Sequence, residues 1–142
     1  MKRTSRDYAA DILACFQETQ EFTQGLDFDA FAGDRKTVNA VVRSLEVMGE
    51  AAKRIPEEVR EKYPQIPWKR MTGMRDKLIH EYSGVDLEIV WGVVKEELPP
   101  LNPLLEQMQQ DMEKQKTLAG FMKKSVPPFF CSGPFKKRSG FR

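Results

Sequence analysis

"VVRSLEVMGEAAKRIP", residues 41–56, sets the fold class. Val41, Val42, Leu45, Met48, Ala52 and Ile55 recur at steps of three and four, the spacing that stacks side chains on one face of an α-helix. Val38 extends the stripe backwards, and Glu46, Glu50, Lys53 and Arg54 lie off its centre. Asp34 stands where a carboxylate can accept from the free N–H groups of the first turn.

The segments on either side repeat the pattern. Upstream, Tyr8, Ile12, Cys15, Phe16, Thr19 and Phe22 form one helical face; Gly25 ends that helix, and "LDFDAFAGD" (residues 26–34) reads as a connection. Downstream, Pro56 suits the first turn of a short helix, and Pro64 and Pro67 break the chain again. A third helix is expected from Trp68 to Tyr82, with Met71, Met74, Leu78 and Ile79 inward and "SGVD" (83–86) ending it. Asp86 can cap a fourth helix with Leu87, Val90, Trp91, Val94 and Leu98 facing the core. Pro99 and Pro100 stop or kink it, and Leu101, Leu104, Leu105, Met108 and Met112 carry a further amphipathic helix. No strand alternation and no long internal repeat is visible, so the expectation is all-α, a bundle of four to five helices.

Composition bounds the function. At 142 residues, 40% hydrophobic and 31% charged, the chain suits one soluble domain. No apolar run approaches the roughly 20 residues of a membrane span, and acidic residues interrupt any signal-like run in "MKRTSRDYAADIL". Cys15 and Cys131 have no motif spacing, and a single histidine argues against a zinc site. A reduced, cytoplasmic protein without cofactor or metal is expected. The net charge of +2 conceals an asymmetry: residues 114–142 carry eight basic and no acidic side chains, leaving 15 basic against 21 acidic in residues 1–113. The expected division is a helical domain over 1–113 and a basic, disordered tail over 114–142, where Gly, Pro, Ser and Lys dominate.

The histidine lies in "RDKLIHEY", residues 75–82. On a helix of about 100° per residue, Arg75 and Tyr82 nearly align and Asp76 and His80 can touch, while Arg75 and His80 stand about 140° apart. A second copy from a symmetric partner would enrich the cluster. The residue types suit a phosphodiester. Arginine grips phosphate oxygens through a planar fork, and histidine exchanges a proton near neutrality. RNA supplies its own nucleophile, the 2′-hydroxyl, so such a pair can cut it without metal. Asp76 can orient the pair, and Tyr82 can bind phosphate or stack on a base. The plain reading stands beside this one: Asp76–His80 as a simple helix pair, Arg75 and Lys77 as a solvated face. Spacing alone favours the plain reading. Glu46 and Glu50 read as a solvated edge or a partner for Arg75, Trp68 and Trp91 as core or interface anchors, and Met48, Met71 and Met74 as packing.

The pattern R-x4-H-x-Y, here Arg75, His80 and Tyr82, resembles the signature of the HepT-like toxins of the HEPN superfamily. "VVRSLEVMGEAAKRIP" is similar to that family's second long helix, "YPQIPWKRMTGMRDKLIHEY" (63–82) to the approach to its site, and "GVDLEIVWGVVKEELPPL" (84–101) to the segment that follows. The resemblance spans about Met1 to Met112. It implies an all-α HEPN-type antiparallel bundle that forms a homodimer, with the two R-x4-H motifs meeting in a composite, metal-independent endoribonuclease cleft. It further implies that Arg75 binds the scissile phosphate, His80 transfers protons, Asp76 orients the site, and Tyr82 receives AMP groups from a partner antitoxin, a minimal nucleotidyltransferase. The basic tail departs from the pattern, since chains of this family end soon after the helix around Leu104 to Met112. It reads as an unstructured appendage, with electrostatic RNA contact and a non-native extension from a shifted reading frame as the other readings. The rivals to a toxin ribonuclease are a non-catalytic HEPN module that binds a nucleotide or partner, and an interaction protein whose acidic bundle docks on another chain.

Overall fold

The central element is a 20-residue helix, Arg35–Arg54, preceded by helices α1 (Ser5–Phe22) and α2 (Phe28–Gly33) and therefore labelled α3. It is followed by α4 (Glu57–Arg60), α5 (Trp68–Thr72), α6 (Met74–Leu78), β1 (Ile79–His80), β2 (Gly84–Val85), α7 (Leu87–Gly92) and α8 (Asn102–Ser125). A widened π turn, Val93–Glu97, and a 3-10 turn, Pro99–Leu101, join α7 to α8. The structure is a computed structural model. It describes residues 2–80 and 84–125, without the side chains of Arg75, Lys77, Ile79, His80 and 116–125. The chain divides into two units, Met1–Gln109 and Gln110–Arg142.

In the first unit α1 and α3 pack along each other as an extensive helix pair. Val41, Leu45, Met48 and Ala52 of α3 are buried with Ile12, Cys15 and Phe16 of α1 among the core side chains. Each large apolar side chain taken fully out of water there contributes about 1.5–3 kcal/mol. Phe22, expected on the inner face of α1, is instead 37% exposed at the last residue of the helix.

The helix ends are chemically closed. Thr4 and Asp7 form a reciprocal capping box on α1. Asp34 accepts from the Thr37 N–H (3.2 Å) and hydroxyl (2.7 Å), as expected for the cap of α3. Those two bonds hold its carboxyl below the usual range, since they favour the charged form. At the other end of α3, Arg60 donates from Nε to the Ile55 carbonyl (2.9 Å) and from Nη2 to those of Ala52 (3.2 Å) and Lys53 (3.0 Å). A cation there satisfies carbonyls that no helical N–H can reach and meets the negative end of the helix dipole.

"LDFDAFAGD" is more than a connection. Asp27 caps α2 by accepting from the Ala30 N–H (2.8 Å), and Phe31 is fully buried. The rings of Phe31 and Phe28 pack against Trp91 with centroids 5.1 and 6.2 Å apart. Asp86 caps α7 as expected, accepting from the N–H groups of Glu88 (3.1 Å) and Ile89 (3.2 Å). Val90, Val94 and Leu98 are buried, Leu87 and Trp91 half-buried.

The expected single helix from Trp68 to Tyr82 is corrected. It divides at Gly73, whose N–H donates back to the Lys69 carbonyl (3.1 Å) and closes α5. α6 then runs only to Leu78, and Ile79 and His80 pair antiparallel with Val85 and Gly84. Gly84 has φ 82°, in the left-handed region that glycine enters without strain. Ile79 and Val85, partners in the register, are both of the β-branched type that favours strands.

In the second unit the backbone stays helical through Ser125. Residues 114–125, the first part of the expected tail, belong to that helix. "KQKTLAGFMKKS" (114–125) supplies Lys, Gln, Leu, Ala and Met, good helix formers that extend a helix already nucleated. The rest of the expected tail, 126–142, lies outside the described residues.

Candidate active site

The site segment is seated on α3 through a glycine. A Cβ built on Gly49 would stand 2.9 Å from the backbone carbonyl oxygen of Met71, closer than real Cβ contacts allow. Only glycine at that point of α3 lets the α5 backbone approach this near. Met71, Met74 and Leu78, all buried as the spacing predicts, anchor α5 and α6.

On this support Arg75 and Asp76 are the second and third residues of α6, and His80 is the last residue of β1, paired with Gly84. The Asp76–His80 relation expected from one helix therefore has no helix to carry it, because α6 ends between them. Asp76 is exposed. Tyr82 lies outside the described residues.

Asp76 borders an open groove of about 650 Å³. One wall is the polar edge of α3, with Arg43, Glu46, Glu50, Lys53 and Arg54; the α1 end contributes Arg3, Tyr8 and Asp11, and α5 contributes Thr72. The Arg3 guanidinium lies 5.2 Å from the Tyr8 ring centroid and pairs with Asp11, while Arg54 pairs with Glu50 at 3.7 Å. Sequence reasoning missed Arg3, Asp11 and Arg43, and placed Tyr8 only on the apolar face of α1. The available signal was spacing: Tyr8 and Asp11 are three apart, and Arg43, Glu46 and Glu50 follow at three and four. Among the described residues no group of three or more His, Cys, Asp or Glu side chains is gathered as for a metal ion. Glu46 and Glu50 stand on the groove wall instead. None of the described helices is long and apolar enough to cross a membrane. Cys15 is buried, and desolvation first, then Glu18 and Asp11, pushes its thiol up to about 11, so it carries no nucleophile near neutrality.

The comparisons with known proteins agree with this architecture. Residues 12–108 match the family described as ribonuclease HepT-like. A probable ribonuclease HepT of Thermococcus cleftensis is 44% identical over 110 residues, covering 78% of this chain and all of the relative. Two proteins of Methanocaldococcus jannaschii, each named provisionally as an RNase, are 43% and 45% identical over 114 and 112 residues; the matches cover 80% and 79% of this chain and 98% and 93% of theirs. No solved structure matches the chain. The fold and the motif define an all-α protein of the HEPN superfamily. The chain belongs to the ribonuclease HepT-like family.

Proposed function

We propose that this chain is the toxin of a toxin-antitoxin pair, a metal-independent endoribonuclease that works as a homodimer. The observation that carries the reading is the family match over residues 12–108, which contains the whole of Arg75, Asp76, His80 and Tyr82. The relatives' names supply RNA as the substrate class.

The chemistry follows from the side chains. His80 takes the proton of a ribose 2′-hydroxyl; the freed oxygen forms a bond to the adjacent phosphorus as the bond from phosphorus to the 5′-oxygen breaks. The 5′-oxygen takes up a proton from the imidazolium or from water. The products are a 2′,3′-cyclic phosphate and a 5′-hydroxyl end. Arg75 neutralises the charge gathering on the phosphorane oxygens, and Asp76 holds the pair in orientation. A cognate minimal nucleotidyltransferase transfers AMP from ATP to Tyr82: the phenolic oxygen, losing its proton, bonds to the α-phosphorus as the α–β phosphoanhydride bond breaks and pyrophosphate leaves, placing bulk and negative charge two residues from His80 and blocking RNA.

Expression in a bacterial host tests this reading. Wild type is expected to arrest growth, His80→Ala and Arg75→Ala to permit it at equal protein level, and coexpressed antitoxin to restore growth while adding AMP mass at Tyr82. Arrest by His80→Ala equal to wild type would instead favour a non-catalytic binding module.

A further inference from the structure

Apart from Asp76 at its border, the groove is not used by the chemistry above. It is large enough for a nucleotide, within the range of small-ligand sites. Its lining carries four basic side chains (Arg3, Arg43, Lys53 and Arg54) and four acidic ones (Asp11, Glu46, Glu50 and Asp76). Asp11 is paired with Arg3 and Glu50 with Arg54. The side chains of Arg43 and Lys53, both exposed, make no hydrogen bond or ion pair among the described residues, and neither does that of the half-buried Glu46. At the α1 end, the Arg3 guanidinium over the half-buried Tyr8 ring forms a flat cation–aromatic unit. The groove thus offers an aromatic platform, two available cations, and two carboxylates, Glu46 and Asp76, that would repel phosphate but accept from an amino group.

We infer that this groove is an RNA subsite, holding one unpaired nucleotide of the strand next to the scissile phosphate. Tyr8, with Arg3, is the stacking surface for its base. Arg43 and Lys53 meet the backbone phosphates on the α3 wall. Glu46 accepts from the exocyclic amino group of the base, which selects cytosine, adenine or guanine over uracil. These are binding and positioning residues, apart from the Arg75–His80 chemistry. The inference rests on the ribonuclease reading for its substrate, and binding and cleavage are therefore measured separately.

The test uses the full chain and labelled 2′-O-methyl RNA oligonucleotides, which cannot supply the nucleophile, with a cleavable RNA of the same sequence run in parallel. Tyr8→Leu is expected to weaken binding about tenfold, with Tyr8→Phe close to wild type. Arg43→Gln is expected to lower the slope of log affinity against log salt by about 0.7. Glu46→Gln is expected to narrow the preference for cytosine over uracil. In cleavage the three variants raise KM and leave kcat near wild type. Circular dichroism and sedimentation check fold and assembly. Binding unchanged in Tyr8→Leu and Arg43→Gln overturns the inference while leaving the ribonuclease reading intact, and absence of wild-type binding also overturns it. Retained wild-type binding without cleavage sinks only the ribonuclease reading. Variants that lose binding because a wild-type dimer has dissociated assign the groove to a subunit interface and overturn the inference.

Discussion

α3 and the segment Trp68–His80 solve opposite problems. α3 is one unbroken helix of 20 residues, closed by Asp34 at its start and by Arg60 beyond its end. The segment Trp68–His80 is divided into two five-residue helices and a two-residue strand. Helices that short have few internal hydrogen bonds to hold them, so contacts with the rest of the fold must fix them. The long helix is the wall, and the short pieces are set against it at Gly49 and through Met71, Met74 and Leu78. The candidate catalytic residues stand on the part that is held by packing. A rigid scaffold carrying a segment of lower local stability is a common arrangement for functional sites.

This contrast can be broken from either side. The largest effect is expected at the anchor of the short segment. Leu78→Ala should cost about 2–5 kcal/mol in urea unfolding and should loosen Arg75 and His80; a loss below 1 kcal/mol would mean that packing does not hold them. Next, Gly49→Ala pushes a methyl group against the Met71 carbonyl. Its expected cost is about 1–3 kcal/mol, with faster amide exchange in α5 and α6 than in α1. On the scaffold side, Asp34→Ala removes the cap of α3 and should lower the urea midpoint by less than either core change, without changing the site. Because hydrogen bonds to Thr37 depress the Asp34 pKa, its contribution is present above pH 3.8 and lost as pH falls through the lower folded value. The smallest effect is at Cys15. Its folded pKa of about 11 lies above the ordinary 9.0, so the unfolded chain loses this proton first. Stability should fall as pH rises across that window, and this component should be missing in Cys15→Ala.

The scaffold was legible in the sequence because its signals are long. The α3 stripe spans several turns, and the caps at Asp34 and Asp86 are where their side chains predict. The site segment was legible only in its apolar phase. Met71, Met74 and Leu78 keep the same spacing whether the helix is whole or divided at Gly73, so periodicity cannot reveal the break. A two-residue strand has no alternation to read, which hid the pairing of His80 with Gly84. α2 escaped notice because six residues show less than two turns of pattern. Of the site, residue types and order pointed to phosphodiester chemistry, but the helical geometry first assumed for Arg75 to Tyr82 does not extend past Leu78. The groove was hidden because Tyr8 and Arg43 meet Asp76 only in the folded chain.

The most direct measurement is made on purified protein expressed without a partner, verified as folded and unmodified at Tyr82 by mass. Wild type and His80→Ala are incubated with total RNA in EDTA, and the ends of the products are identified. Cleavage by wild type alone, leaving 2′,3′-cyclic phosphate and 5′-hydroxyl ends, is the predicted result. Equal cleavage by His80→Ala, or no cleavage by the folded wild type, would contradict the assignment of Arg75–His80 as a ribonuclease site.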